Sequence, residues 1–183
     1  MGKSFSKLTP RIATTLLISA LQKYFTGHAE YPWLEDDTKT GIIITSDYPE
    51  DVKDRLSIPT LVVETGDVSF SQDGIGNVQN VIPWKDVNVK GDTIIKYAFD
   101  EEWLQFTIQS MIHIHCLTES RDATDELAFE VGVFLVGVKH QLGDILQWQF
   151  MSMPQQSAPR VSEREGWSGI YDSVVSIQYT FTL

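Results

Sequence analysis

Between His113 and Leu127 the chain reads HIHCLTESRDATDEL, which brings together two histidines, the only cysteine of the sequence and the acids Glu119, Asp122, Asp125 and Glu126. Imidazoles and carboxylates are the ligands of zinc and non-haem iron, and an imidazole can also serve as a general base. In an extended segment His113 and His115 project to the same side with backbones ~6.5–7 Å apart, which suits two ligands of one metal. A third protein ligand is still needed, and the remaining histidines, His28 and His140, sit at no recognisable spacing. Cys116 falls on the opposite, apolar side and reads as a small buried hydrophobe, not a nucleophile. We therefore expect His113 and His115 to line the half-solvated face of a sheet, with no catalytic residue, metal or cofactor assigned. A metal-binding protein built on the pair is the alternative.

The elements that would position these residues are legible in the periodicities. Trp103 to Leu117 alternates, with Phe106, Ile108, Ser110, Ile112, Ile114 and Cys116 on one face and Thr107, Gln109, Met111, His113 and His115 on the other. A helix follows, capped by Ser120 or Asp122 and running to about Gln141, where Gly143-Asp144 turns the chain. Upstream, Thr9-Pro10 opens a helix whose apolar residues recur at three-and-four spacing from Ile12 to Phe25, ending before Gly27. An acidic, aromatic loop then leads to two β-branched strands at 41–45 and 59–64, with a turn-like stretch from Asp47 to Arg55 between them. Gly66-Asp67 is expected to end the second strand, and 66–80, with its Asp73-Gly74-Ile75-Gly76-Asn77 run, to form a mobile loop.

Val78 to Val89 and Asp92 to Phe99 flank a Gly-Asp turn and can pair as a hairpin. Leu146, Trp148 and Phe150 alternate as a further strand, 154–166 reads as a polar loop, and Val175 to Leu183 alternates to the last residue. The order predicts a single α+β domain over residues 1–183. Its two main helices pack on one face of a mostly antiparallel, mixed sheet with extended loops, and residues 1–8 are mobile.

Composition narrows the function. The 14 basic against 25 acidic residues give a net charge of −11, which disfavours sequence-independent binding to nucleic acid or anionic membranes. One cysteine excludes an intrachain disulfide and multi-cysteine zinc sites, and points to an intracellular protein. No apolar run is long enough for a membrane span, and no signal peptide is recognisable. Gly2 followed by Ser6 fits a short myristoylation template, weighed against a plain, mildly basic N-terminus. Gly74-Ile75-Gly76 lacks the surroundings of a phosphate loop, and neither a nucleophile elbow nor a Walker sequence is present.

The second helix is more apolar than one buried side requires. Leu127, Val131, Phe134, Leu135, Val138 and Leu142 make one stripe, while Phe129, Val133 and Val136 make a second. That second stripe either lies in the core beneath the first helix or meets another subunit. As an oligomer-interface candidate it comprises Phe129, Val133 and Val136.

The N-terminal helix, the Pro-Thr-Leu-Val-Val strand with Gly-Asp at 59–67, and the long strand leading into Ser120-Arg121-Asp122-Ala123-Thr124-Asp125-Glu126-Leu127-Ala128 together resemble the tail-terminator (tail-completion) and related neck proteins of long-tailed bacteriophages. The resemblance covers most of the chain. It implies a non-enzymatic virion protein, made in the host cytoplasm, that forms a homo-oligomeric ring, usually a hexamer, on the end of a tail tube. Such a ring joins the tube to the head and neck connector, with DNA only passing through the lumen. A head-side neck protein of the same structural class is the alternative within this resemblance.

Overall fold

The computed structural model describes residues 10–36, 39–48, 58–72, 81–87, 93–99, 106–146, 148, 150–164, 167 and 169–182. Gly2 and residues 1–8, most of the turn at 47–55, and the Asp73–Asn77 run lie outside them.

The architecture is α+β, with two helices on one face of a mixed sheet. Helix α1 spans Pro10–Phe25, and strand β1 (Ile43–Thr45) runs parallel to β2 (Thr60–Gln72). Strands β3 (Val81–Val87) and β4 (Thr93–Phe99) pair with each other as a separate antiparallel ribbon, the hairpin that the sequence suggests. Strand β5 (Phe106–Thr118) lies between β2 and the last strand, β9 (Tyr171–Thr182), antiparallel to both. Helix α2 spans Arg121–Leu146. Three two-residue strands, β6 (Phe150–Met151), β7 (Gln155–Gln156) and β8 (Arg160–Val161), pair in succession along the outer edge of β9.

Period-two alternation assigns the sheet's faces. Leu61 and Val63 of β2, Ile112, Ile114 and Cys116 of β5, and Val175, Ile177 and Tyr179 of β9 point to the helices and are buried. Ala13, Leu17, Leu21 and Phe25 of α1 and Leu127, Val131, Phe134, Leu135 and Leu142 of α2 close that core from above. Trp148 stacks on Tyr179 with ring centres 4.2 Å apart, sealing the core's edge near β6.

Several local expectations are corrected. Gly66-Asp67 does not end β2. Thr65 pairs with Ile112 and Val68 with Ser110, so two residues stand opposite Met111 alone and the pair forms a β-bulge. The bulge changes the phase of the alternation, which is why apolar residues move from odd positions at Leu61 and Val63 to an even one at Val68. The described part of the expected 66–80 loop, up to Gln72, is therefore strand.

Helix α2 likewise continues through Gly143-Asp144 to Leu146, and the Trp148 N–H reaches back to the Gly143 carbonyl at 3.0 Å across the helix end. Burial of Leu142 and Leu146 outweighs the ~1 kcal/mol cost of a helical glycine. The strand expected around Leu146, Trp148 and Phe150 shrinks to Phe150–Met151, and the 154–166 segment contains β7 and β8.

Candidate functional site

Two surfaces carry the residues that the sequence singles out, and they lie on opposite sides of the sheet. On the side away from the helices, strand register assembles a polar cluster around His113 and His115. His113 is directly opposite Glu64 on β2 and Ser176 on β9, and its Nδ1 lies 2.8 Å from the Ser176 Oγ. His115 meets its partners diagonally: Nδ1 lies 3.0 Å from an Asp172 carboxylate oxygen, and Nε2 lies 3.5 Å from Glu64. The histidines thus share a face but are held by different partners.

Around this pair the segment before β9 folds back over the sheet. Arg164 places its guanidinium 3.2 Å from the centre of the Tyr48 ring and 3.9 Å from Glu64. Tyr48 meets His115 and Trp167 edge-on, each at 5.6 Å between ring centres. Val62, Leu117, Trp167 and Ile170 form a small apolar cluster beneath. Burial, followed by the Glu64 carboxylate, pushes the Tyr48 phenol above its ordinary range.

The chemistry open to this cluster follows from which atoms remain available. His115 has an acid on each ring nitrogen, so the nitrogen that would receive a substrate proton already faces Glu64. His113 has a hydroxyl partner in Ser176 but no acid behind it, because its Nε2 side rests against Gly66. Among the described residues neither histidine completes a nucleophile, base and orienting acid in series. Among the described residues no group of three His, Cys, Asp or Glu side chains converges to hold a metal ion. What the cluster does is fasten Tyr48, Arg164 and Trp167 to the open face. Cys116 points the other way, is fully buried, and has its thiol pKa raised by that burial.

The second surface is the outward side of α2. Ser120 precedes the helix, and its carbonyl accepts the Thr124 N–H at 2.9 Å, which places the cap at Ser120 and Asp122 in the first turn. The Thr118 hydroxyl locks this start by donating to the Ser120 carbonyl at 2.7 Å, accepting the Ser120 N–H at 3.1 Å, and lying 2.8 Å from the Thr124 hydroxyl.

From there the helix buries one stripe on the sheet and leaves the other open. Phe129 is 63% exposed, Val133 49% and Val136 45%. Helix α1 does not cover them. Its Tyr24 packs on Phe134 at 4.8 Å and donates to Glu130 at 3.1 Å, on the near flank of α2.

Beside Phe129 a groove of about 580 Å³ opens between α2 and the loop after α1. Glu30, Asp125, Glu126 and Glu130 make it acidic, while His28 and Tyr31 form its aromatic wall. The wall is rigid because the His28 Nδ1 accepts the N–H groups of Glu30 and Tyr31 at 3.3 and 3.1 Å, and its ring stacks on Tyr31. Burial and the carboxylates of Glu30, Glu126 and Glu130 raise the Tyr31 phenol pKa.

Sequence reasoning located His113, His115, Cys116 and the Phe129 stripe, but not Glu64, Asp172, Arg164, Tyr48 or Trp167 as their neighbours. The only local signal for the acids is that each occupies the polar phase of an alternating strand. Among the described residues no helix is long and apolar enough to cross a membrane. No protein-family model matches the chain, and a search of curated proteins finds no match.

Proposed function

We propose that the chain is a structural subunit that works by self-association, and specifically a tail terminator that forms a ring, six-membered in the simplest case, at the end of a phage tail tube. The observation that carries this reading is the uncovered stripe of Phe129, Val133 and Val136 on a helix whose opposite side is fully packed. A contiguous apolar strip on a rigid element, flanked by charged residues, is the physical signature of a protein contact.

The remaining features are consistent with an assembly protein. The side chains with the most chemical potential, His113 and His115, are engaged in holding the open face of the sheet together. With a net charge of −11, a ring of such subunits has a lumen wall that repels DNA and lets it slide. The assignment to a tail end rests on the sequence resemblance, and a head-side neck ring is the closest variant of the same reading.

Negative-stain electron microscopy of the purified chain across a concentration series, with and without tail tubes, tests the proposal. Class averages with rotational symmetry, found alone or capping tube ends, are the expected result. Uniform monomers that leave tube ends bare would overturn it.

A further inference from the structure

We propose that the groove between α2 and the loop after α1 receives an arginine side chain presented by a protein partner. This goes beyond the self-association reading and does not depend on it.

Charge is the first argument. Glu30, Asp125, Glu126 and Glu130 line the groove, and no cationic side chain among the described residues pairs with any of them. His28 does not supply the missing positive charge, because its Nδ1 accepts two backbone N–H groups and so holds no proton. Asp125 accepts from the Gln156 amide at 2.8 Å and Glu130 from the Tyr24 hydroxyl at 3.1 Å, which orients two of the four acids without neutralising them. Like charges gathered around one groove favour a cation between them.

Tyr31 is the second, independent argument. Its side chain is 7% exposed and lines the groove, yet its hydroxyl has no hydrogen-bond partner among the described residues. A phenol so deeply placed ordinarily finds one. Burial and the carboxylates of Glu30, Glu126 and Glu130 keep it protonated, and its oxygen is left free to accept a donor from a ligand.

The walls narrow the choice of cation. Tyr31, His28 and Phe129 set aromatic surface beside the acids. A guanidinium suits this combination, because its planar N–H groups fork to carboxylates and its face stacks on rings, whereas an ammonium is a strongly hydrated point charge. The groove's size and openness favour a guanidinium carried by a protein. Its volume of about 580 Å³ is larger than the head group, and Glu30, Asp125 and Glu126 are exposed, so a small free cation would stay hydrated and screened. An arginine on a partner brings an apolar stem and a backbone to fill the remainder.

NMR titration of the full chain tests the proposal, with a capped alanine-arginine-alanine tripeptide as the probe. Saturable shifts at the Tyr31 and Gln156 amides are expected. The lysine counterpart of the peptide, and ethylguanidinium as the free head group, should each bind roughly fivefold more weakly. Tyr31→Phe removes only the unpartnered hydroxyl, so the fold stays intact while binding weakens roughly tenfold. Glu126→Gln should weaken it as well, and Glu163→Gln, an equal change of net charge outside the groove, should not.

Absence of saturable shifts, equal binding of the lysine peptide, or wild-type binding by Tyr31→Phe would overturn the proposal. Ethylguanidinium binding as tightly as the tripeptide would assign the groove to a free cation and overturn the protein partner. Failure here leaves the ring reading standing, and monomers in the microscope leave the groove's binding to be read by the same titration.

Discussion

Phe129→Asp should separate assembly from folding, and the structure gives a magnitude for each. In the single chain the phenylalanine ring is 63% exposed and points away from the core, so the fold loses little when it is removed. Phenylalanine and aspartate have similar helix propensities, which leaves a change within ~0.5 kcal/mol and a melting temperature moved by less than about 2 °C.

In a contact between copies the same ring would bury the area now facing water. Full burial of a phenylalanine is worth ~1.5–3 kcal/mol, so the exposed part contributes roughly 1–2 kcal/mol to each contact. The expected loss is therefore about 5-fold to 30-fold in dissociation constant. Leu135→Ala, six residues along on the fully buried side, is the contrasting control, costing ~2–5 kcal/mol of fold stability. Sedimentation velocity across a concentration series reads assembly, and thermal melting by circular dichroism reads the fold. If Phe129→Asp melts like the Leu135→Ala variant, or sediments like the wild type, the reasoning about this face is wrong.

Three further outcomes concern the fold beneath that surface. At Gly66 an added Cβ would lie 2.7 Å from the His113 Nε2, so Gly66→Ala should displace that ring from Ser176 and cost ~1–3 kcal/mol in denaturant unfolding, with the His113 side-chain resonances shifted by NMR. Thr118→Val removes a buried hydroxyl that serves the Ser120 carbonyl, the Ser120 N–H and the Thr124 hydroxyl; ~1–3 kcal/mol of stability should be lost, and hydrogen exchange should rise first at the start of α2.

Alkali should also destabilise the chain, because burial raises the pKa of Cys116 above its ordinary value of 9.0 and that of Tyr48 above 10.0. The unfolded chain releases these protons first, so stability is full below about pH 9 and falls as pH rises, by up to ~1.4 kcal/mol per pH unit for each group. Urea unfolding from pH 8 to 11 measures the slope. Cys116→Val should delay its onset toward pH 10, and a flat profile would contradict the assigned burial.

Local periodicity made most of the scaffold legible. The Thr9-Pro10 start and three-and-four spacing match α1 at Pro10–Phe25, and clean alternation matches β5 and β9. Errors fall where a local signal has two structural meanings. Gly66-Asp67 looks like a strand end and is a bulge, while Gly143-Asp144 looks like a turn and lies inside a helix. In both cases long-range packing decides, through β5 pairing on either side of the bulge and through Leu142 and Leu146 beneath α2.

The polar cluster was less legible for a similar reason. That His113 and His115 share a face follows from the two-residue repeat, but that Asp172 and Glu64 bracket His115 depends on the pairing of three strands distant in sequence. Trp167 and Arg164 come from an irregular segment in which no periodicity operates at all.

The contrast between the two surfaces bears directly on what each is for. On the open face of the sheet the charged groups are matched within the chain: His115 by Asp172 and Glu64, and Arg164 by Glu64 and the Tyr48 ring. On α2 the account does not close within one subunit, since large apolar side chains face water and two glycines weaken the helix without relieving any contact. Features that lower the stability of an isolated subunit make physical sense where a second surface removes the apolar groups from water and approaches the bare backbone. The histidine cluster can then be understood as support for that role, because fastening Arg164, Trp167 and Tyr48 to the sheet stiffens the platform that presents α2. Loosening the cluster, for example with Asp172→Ala, should weaken assembly indirectly by softening the sheet, while Phe129→Asp acts directly and leaves the sheet intact.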